Sequence, residues 1–208
     1  RIATEKVRDR HDVVIVQEKL DGSCCAVAKL DEGQIIALGR SGYPAQSSKY
    51  EQHQLFAAWV CAEYARFDSL LSPGERAVGE WLAQAHGTRY ELPHAPFVVF
   101  DLVSGHTKKG NPIRACTDDV GRRCSVVNLP TPRLLSHGAP LSIEQAMLRV
   151  AEEPEYHGAL DLIEGCVWRV ERDGETEFLC KYVRPDKIDG LYLPEMTGHP
   201  PVWNWRPR

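Results

Sequence analysis

An unbroken apolar run, Val13-Val14-Ile15-Val16, ends three residues before Lys19, and Asp21 and Gly22 follow that lysine. Four consecutive β-branched residues predict a buried strand over residues 13–20, and Asp-Gly predicts a turn directly after it. Lysine side chains lie mostly on protein surfaces, so the mouth of a buried strand is an unusual place for one. The sequence therefore predicts that Lys19 lies where a buried strand ends and a sharp turn begins.

The rest of the sequence predicts more short strands, several of them joined by tight turns. Strands are expected over residues 24–30, 34–38, 77–82, 97–102, 162–170 and 177–183. Asp173-Gly174, between the last two, is typical of a two-residue hairpin turn. Apolar content of 43% is enough to build a globular core.

Two helices are expected between these strands. Helical spacing of apolar residues predicts one over about 47–71, and Ser142 with Gln145 fits a capping box that opens another, ending near residue 153. Residues 103–140 are rich in Gly, Pro and basic residues and are predicted to be mostly loop. The pattern as a whole predicts an α+β fold built on antiparallel sheets.

The last hairpin brings an acid and a base together if its strands pair without irregularity. Counted from a turn at 173–174, Lys181 faces Cys166 and shares a face of the sheet with Glu164. Glu164 and Lys181 are then diagonal neighbours, about 7–8 Å apart at the backbone. Burying these charges on an apolar face would be costly unless a ligand or an ion lay between them.

Charge and cysteine content restrict the class of protein. The net charge of −4 means that any polyanion must be bound by local patches, each of which is otherwise an ordinary solvated cluster. The candidate patches are Lys108-Lys109, Arg122-Arg123, and the group of Arg169, Arg172, Lys181, Arg184 and Lys187. Seven cysteines without a Cys-x-x-Cys pair predict reduced thiols in a cytoplasmic protein, and the histidines lack zinc-site spacing. No apolar run approaches the roughly 18 residues of a membrane span.

Six short elements, in a fixed order, resemble the motifs of the covalent nucleotidyltransferases, the superfamily of ATP-dependent DNA and RNA ligases and GTP-dependent mRNA capping enzymes. They are Lys19-x-Asp21-Gly22 (motif I), Arg40-Ser41-Gly42 (Ia), Gly79-Glu80 (III), Phe97-Val98-Val99-Phe100-Asp101 (IIIa), Glu164-Gly165-Cys166-Val167 (IV) and Leu179-Cys180-Lys181-Tyr182 (V). Each element alone recurs by chance. The ordered set covers residues 13–184 and is specific.

The resemblance implies a catalytic role for two lysines. Lys19 would attack the α-phosphorus of ATP, expel pyrophosphate and form a covalent lysyl-AMP. Lys181 would contact the nucleotide and neutralise charge that develops on its α-phosphate. Glu164 and Asp21 would hold the waters of a hydrated Mg²⁺ (or Mn²⁺).

The resemblance also implies the residues that bind the nucleoside. Arg40 and Glu80 would hydrogen-bond the ribose hydroxyls, and Phe100 would stack on the purine. Phe97 points to the opposite face of the same strand, so only one of the two can stack. Glu18, beside the nucleophile, and Arg184 complete the set of expected nucleotide ligands.

Details of the motifs favour the ATP-dependent RNA ligases. DNA ligases and capping enzymes carry an arginine two residues after the motif I glycine, where this chain has Cys24. The expected activity is transfer of AMP from Lys19 to an RNA 5′-phosphate, followed by sealing with a 3′-hydroxyl. Alternatives are a DNA ligase, a GTP-dependent capping-type enzyme, or an inactive relative that only binds nucleotide or RNA.

Two departures from the pattern leave questions open. Many relatives have a second motif V lysine where this chain has Val183, so either Arg184 contributes in its place or Lys181 acts alone. Residues 185–208 are too few for an oligonucleotide-binding barrel. The resemblance therefore implies one adenylyltransferase domain over 1–208, of the ATP-grasp-like ligase type, with helices flanking antiparallel sheets and the nucleotide pocket between the sheets. Because the chain begins at Arg1, we expect a trimmed piece; its oligomeric state stays open.

Overall fold

The computed structural model describes residues 1–107 and 110–207, and the Lys108-Lys109 patch lies outside the described residues. The strands are β1 Val13–Lys19, β2 Ser23–Lys29, β3 Ile35–Gly39, β4 Glu75–Trp81, β5 Phe97–His106, β6 Pro112–Arg114, β7 Leu134–Gly138, β8 Gly165–Arg172 and β9 Glu175–Val183. The helices are α1 Glu51–Ala62, α2 Tyr64–Leu70, α3 Thr117–Val126, α4 Ile143–Glu152 and α5 Pro194–Thr197. All strand pairs are antiparallel, which confirms the predicted α+β class.

One compact unit comprises Arg1–Gly22, Leu82–Pro96 and Pro132–Arg208. Its four-stranded sheet has the order β7-β1-β8-β9. Alternate residues of β1 and β8, including Val16 and Trp168, bury one face of this sheet against Ala146 and Val150 of α4. We call this sheet the four-stranded sheet.

The start of α4 follows the predicted capping box. The Ser142 hydroxyl accepts a hydrogen bond from the backbone N–H of Gln145, and the Gln145 side chain accepts one from the backbone N–H of Ser142. These two bonds satisfy N–H groups that have no partner inside the helix. The helix that covers the core of the four-stranded sheet is thereby fixed at its first residue.

A second compact unit comprises Ser23–Trp81 and Phe97–Thr131. Its five-stranded sheet has the order β3-β2-β4-β5-β6. One face carries an aromatic core of Phe56, Trp59, Phe67, Trp81 and Phe97. A Cβ at position 79 would lie 2.8 Å from the Phe97 ring, so the glycine of the predicted motif III is also required by packing.

The prediction that 103–140 is mostly loop is wrong. This segment contains β6, α3 and β7. The helix α3 buries only Val120 and Cys124 among ten residues, and a segment with so few apolar residues resembles a loop in the sequence. The helix expected over 47–71 is likewise interrupted, because α1 ends at Ala62 and α2 begins at Tyr64.

The predicted register of the last hairpin is also wrong beyond its first pairs. Asp173 and Gly174 form the turn with positive φ angles of 53° and 81°, and Arg172 pairs with Glu175 as expected. A β-bulge between Val170 and Glu171 then adds one residue on β9. Lys181 therefore pairs with Val167, not with Cys166, and it is not the diagonal neighbour of Glu164.

This shift moves Lys181 to the other face of the sheet. Val167 pairs with Gln17 of β1, and Lys19 lies two residues further along that strand. Side chains of directly paired residues project from the same face, and the period along a strand is two. Lys181 and Lys19 therefore share a face, which is opposite to the one that α4 covers.

Two further expectations can be compared with the structure. No disulfide joins any of the seven cysteines, all of which lie in the described part of the chain, and Cys25, Cys124 and Cys166 are buried as small hydrophobes. Within residues 1–107 and 110–207, no helix has the length and apolarity that crossing a membrane requires.

Candidate active site

Lys19 is the last residue of β1 and lies opposite Gly165, the first residue of β8. Its Nζ donates a hydrogen bond to Oε2 of Glu164 over 2.5 Å. Only 20% of the Lys19 side chain and 7% of the Glu164 side chain is exposed. The lysine predicted to be the nucleophile thus lies partly buried beside a carboxylate at the ends of two paired strands.

A second lysine, Lys187, bridges the two carboxylates that were expected to serve the metal. Its Nζ donates to Oε1 of Glu164 over 2.6 Å and to Oδ1 of Asp21 over 3.0 Å. The other oxygen of Asp21, Oδ2, accepts the backbone N–H of Gly87 over 2.8 Å. Lys19, Asp21, Glu164 and Lys187 form what we call the charge cluster, in which two ammonium groups balance two carboxylates.

The electrostatics of Lys187 follow from its surroundings. Its side chain is 7% exposed, and burial alone would lower the pKa of its ammonium group. The hydrogen bonds to Glu164 and Asp189, together with Asp21, outweigh burial and hold the pKa of Lys187 above its ordinary value. Lys187 is therefore a permanent cation in this arrangement.

The turn after β9 brings Lys187 to the cluster. The backbone N–H of Arg184 donates to the carbonyl of Glu164 over 3.0 Å, and the N–H of Lys187 donates to the carbonyl of Arg184 over 3.2 Å. Gly87 leaves room on the other side, because a Cβ there would lie 2.8 Å from both Asp21 Oδ2 and the Ile188 carbonyl. Backbone contacts and one glycine thus fix the position from which the Lys187 side chain extends.

Lys181 lies close to the same cluster. Asp189 accepts a hydrogen bond from Lys187, which is the main reason why the pKa of Asp189 lies below its ordinary value. The positive charges of Lys19 and Lys181 lower the pKa of Asp189 further. Lys19, Lys181 and Lys187 thus all lower the pKa of this one exposed carboxylate.

The charge cluster suits a hydrated divalent cation better than a fully protein-ligated one. Asp21 and Glu164 offer carboxylate oxygens, the ligands that Mg²⁺ prefers, and Mg²⁺ commonly binds through one or two carboxylates while keeping its waters. In the part of the chain that the structure describes, no group of three or more His, Cys, Asp or Glu residues is arranged to hold a metal ion. The donor set thus fits Mg²⁺ with these two residues as its protein ligands.

The five-stranded unit contains a cavity of about 300 Å³ on the face opposite its aromatic core. Arg40 and Phe100 line it, together with Cys24, Arg76 and Arg114. Phe97 lies in the aromatic core, so the prediction that Phe97 and Phe100 point to opposite faces is confirmed.

The third residue expected to bind the nucleoside lies beside this cavity. Glu80 pairs with Cys24 across β2 and β4, and Cys24 lines the cavity, whereas Glu80 does not. Residues paired directly across two strands share a face of the sheet. Arg40, Glu80 and Phe100 are therefore grouped on one surface of the five-stranded unit.

The family model described as RNA ligase matches residues 12–183, which is most of the chain. The chain belongs to the RNA ligase family. The match begins just before β1 and ends at the last residue of β9, so it includes Lys19, Arg40, Glu80, Phe100, Glu164 and Lys181. Comparison with curated protein sequences finds no match.

Two solved structures of archaeal ATP-dependent RNA ligases, described as form 2 and form 1, are similar to this member of the RNA ligase family. Their sequence identities to the chain are 22% and 19%, and their TM-scores are 0.48 and 0.49. In each case the alignment covers 83% of this chain and 42% of the archaeal protein. The chain therefore spans less than half the length of these two proteins.

Glu18 and Arg184, two further residues that the RNA ligase resemblance nominated, lie neither in the charge cluster nor in the lining of the cavity beside Arg40 and Phe100. Glu18 is 2% exposed and pairs with Cys166, so its side chain lies on the face opposite to Lys19. Burial raises the pKa of Glu18 to about 7, although the charge of Arg133 opposes this shift. Among the described residues, neither carboxylate oxygen of Glu18 has a hydrogen-bond partner.

Arg184 makes contacts that anchor the turn after β9. Its Nε donates to the carbonyl of Ile163 over 3.1 Å, and its Nη1 lies 2.8 Å from Asp186. These partners are its own neighbours in the turn and the residue before Glu164. Lys187 is therefore a second candidate, beside Arg184, to supply the charge that a lysine at position 183 would carry. Unlike Arg184, Lys187 contacts both Asp21 and Glu164.

Sequence reasoning placed Lys187 only in a basic patch and did not consider Gly87. Neither residue belongs to a strand or lies in one of the six motifs. The one available signal was the pair Arg184-Pro185, which predicts that the chain turns back after β9. Such a turn can return a lysine to the strand end, but the sequence does not say which one.

Proposed function

We propose that this chain is an ATP-dependent RNA ligase, or the adenylyltransferase part of one, with Lys19 as the nucleophile. The observation that carries the proposal is a partly buried lysine, hydrogen-bonded to Glu164, at the position where the RNA ligase resemblance places a covalent lysine. Such a position is a poor one for a merely solvated charge. It is well suited to a group that meets a bound phosphate.

The proposed reaction has two transfers of the adenylyl group of ATP, first to Lys19 and then to RNA, followed by one transfer of the RNA 5′-phosphoryl group to a 3′-hydroxyl. The lone pair of neutral Lys19 Nζ attacks the α-phosphorus of ATP, the bond to the β-phosphate oxygen breaks, and pyrophosphate leaves with those electrons. An RNA 5′-phosphate oxygen then attacks the same phosphorus and releases Lys19. Finally, an RNA 3′-hydroxyl attacks the activated 5′-phosphate, loses its proton and displaces AMP.

The charge cluster and Lys181 are assigned the phosphate chemistry. An ammonium group has no lone pair, so Lys19 must give up a proton before it attacks. Lys181 is assigned the charge that develops on the α-phosphate. Glu164 and Asp21 are assigned the waters of Mg²⁺, which when bound would neutralise phosphate charge.

The five-stranded unit is assigned recognition of the nucleoside. The cavity of about 300 Å³ lined by Arg40 and Phe100 lies at the lower end of the range for small-molecule sites, roughly 300–1,000 Å³. Phe100 offers a ring for stacking, and Arg40 and Glu80 offer a donor and an acceptor for ribose hydroxyls. Glu18, whose side chain is buried on the face opposite to Lys19, and Arg184, which anchors the turn after β9, stay predictions.

The proposal is tested by incubating the chain with α-labelled ATP and Mg²⁺. We expect the label to remain on the native protein after denaturation and to be absent from Lys19→Ala. Lys29→Ala is the matched control, because Lys29 is also the last residue of a strand and also pairs with a carboxylate, Asp68. Label that persists in Lys19→Ala would show that the nucleophile is misassigned.

The alternatives are separated by the same assay with other substrates. Labelling by GTP in preference to ATP would indicate a capping-type enzyme, and sealing of nicked DNA in preference to nicked RNA would indicate a DNA ligase. An inactive relative, which Val183 favours, would bind ATP without becoming labelled. The proposal expects ATP labelling and RNA sealing.

A further inference from the structure

The charge cluster contains a cation that the proposed reaction does not yet use. Lys187 Nζ lies within hydrogen-bond distance of three carboxylates, at 2.6 Å from Glu164 and 3.0 Å from both Asp21 and Asp189. The side chains of Lys187, Asp21 and Glu164 are each 7% exposed. Charges removed from water to this extent need a partner, and Lys187 provides one to both buried acids.

The oxygens that Lys187 contacts are those that the proposed function gives to the divalent cation. An ammonium group and a metal ion repel one another when they share an acceptor, and at a separation of about 4 Å this repulsion is large even at an intermediate dielectric constant. Lys19 and Lys187 already balance the charges of Asp21 and Glu164, and Asp189 is a third carboxylate beside Lys187. A divalent cation added at Asp21 and Glu164 would therefore compete with Lys187 for the same oxygens.

The position of Lys187 lets its side chain move while its backbone stays fixed. The turn is held by the hydrogen bonds from Arg184 to the carbonyls of Glu164 and Ile163. A lysine has four carbons and freely rotating bonds between its backbone and its charge. Its third acceptor, Asp189, has a side chain that is 91% exposed, so Lys187 reaches from the buried carboxylates to the surface of the cluster.

We propose that Lys187 is the resident counter-ion of Asp21 and Glu164 and moves onto the phosphates of the bound nucleoside triphosphate when a divalent cation occupies these carboxylates. Lys187 would thereby supply a second positive charge beside Lys181. Many relatives have a lysine for this purpose at position 183, where this chain has a valine. Val183 pairs with Gly165 and lies in one row with Lys19, two strands away and roughly 10 Å from it. A charge delivered from the following turn would serve the same row.

This inference rests on the proposed function for its phosphate step but not for its cation step. The first measurement therefore uses no nucleotide. It is a titration of the ATP-free chain with Mn²⁺, in which the electron paramagnetic resonance signal reports the concentration of free Mn²⁺. We expect Lys187→Met to bind Mn²⁺ roughly tenfold more tightly than the native chain, because a competing charge has been removed from the ligand oxygens. Lys29→Met, which breaks the ion pair with Asp68 in the other unit, is the control and should leave Mn²⁺ affinity unchanged.

The second measurement is transfer of label from α-labelled ATP. We expect Lys187→Met to react about 100-fold more slowly than the native chain, as for loss of one group that stabilises a transition-state charge. In the double variant Val183→Lys, Lys187→Met, a lysine returns to the row of Lys19, and the rate should recover at least in part. If Lys187→Met does not fold, Lys187→Gln, which keeps a polar donor near Asp21 and Glu164 without the charge, takes its place in both measurements.

The outcomes distinguish the two proposals. A native chain that takes up no label contradicts the proposed function, while the Mn²⁺ measurement still decides whether Lys187 competes for the carboxylates. Tighter Mn²⁺ binding together with slower labelling in Lys187→Met supports the role of Lys187, because replacing a purely structural residue would not raise the affinity for the metal. Unchanged or weaker Mn²⁺ binding in Lys187→Met, an undiminished labelling rate, or no recovery in the double variant would overturn it.

Discussion

At the scale of single residues, the charge cluster is held together by reciprocal compensation. One carboxylate oxygen of Glu164 accepts a hydrogen bond from Lys19, and the other accepts one from Lys187. Asp21 accepts hydrogen bonds from Lys187 and from the backbone N–H of Gly87. Removing one member of a buried ion pair typically costs about 3–5 kcal/mol, because the remaining charge is left without a partner. The residues nominated for catalysis are therefore also residues on which local stability depends.

Sequence reasoning identified most of this cluster for a physical reason. Lys19, Asp21 and Glu164 lie at or next to strand ends, and a charge beside an apolar run is visible in the sequence. Lys187 was missed because it lies in a turn, where lysine is expected to be solvated. Only the return of the chain after β9 shows that it is buried.

Glu18 provides a prediction about stability and pH. In the folded chain its pKa is raised to about 7, whereas the ordinary value is 4.5, so between these pH values the folded state holds a proton that the unfolded state has lost. The free energy of unfolding therefore falls as pH rises through this window. Glu18→Gln removes the titrating group. The stability of this variant relative to the native chain should therefore rise by at most about 3 kcal/mol between pH 4.5 and 7, and it should stay constant at higher pH.

Urea unfolding at several pH values measures this difference. Glu32→Gln is the control, because Glu32 is exposed and its substitution should give no pH-dependent change of this size. A difference between Glu18→Gln and the native chain that is the same at pH 5 and pH 8 would contradict a buried, protonated Glu18.

At the scale of elements, the hairpin of β8 and β9 determines which side chains reach Lys19. The sequence predicted this hairpin and its turn, because Asp173-Gly174 is a strong local signal. It could not predict the register, because the bulge beside Val170 has no distinctive residue and shifts every later pair by one. The shift places Lys181 on the face of Lys19, so the error in register concerned the functional face itself.

Gly165 provides a prediction about this hairpin. A Cβ at position 165 would lie 2.0 Å from the backbone carbonyl oxygen of Tyr182 on the paired strand, so the two strands would have to separate. Forcing extra atoms into a closely packed site typically costs about 1–3 kcal/mol, and Gly165→Ala should lower the free energy of unfolding by at least this amount. Because Glu164 precedes this glycine, the variant should also label more slowly with ATP.

The matched control is Gly121→Ala in α3. No atom lies within 4 Å of a Cβ at this position, and alanine favours a helix over glycine by about 1 kcal/mol. This variant should therefore be slightly more stable than the native chain. Chemical denaturation of both variants measures the contrast, and equal effects of the two substitutions would show that the close approach at Gly165 is not what limits the hairpin.

At the scale of the whole molecule, the net charge is −4, and several arginines of the predicted basic patches are paired with carboxylates. Arg122 pairs with Asp119, Arg123 pairs with Glu75, and Arg172 pairs with Asp12. Arg123 and Arg172 pair with carboxylates that are mostly buried and so stabilise the fold locally, whereas Arg122 is 70% exposed. The composition predicted that any polyanion would have to be held by local patches, and the structure brings two cations, Lys19 and Lys187, together at Glu164.

The α+β class and the order of the motifs were predictable because each strand carries its own apolar signal. The helix α3 and the short strands β6 and β7 were not, because each of them has few buried residues. The chain spans 42% of each of the two archaeal ligases, so covalent attachment of AMP and sealing of RNA are both proposals for this chain.

The most direct test of the central claim is mass spectrometry of the chain after incubation with ATP and Mg²⁺, followed by tryptic digestion. Modified Lys19 resists trypsin, so we predict a peptide of residues 11–29 that carries the mass of one AMP, with fragmentation placing the adduct on Lys19. An intact chain without an adduct, or AMP attached to any other residue, would contradict the account.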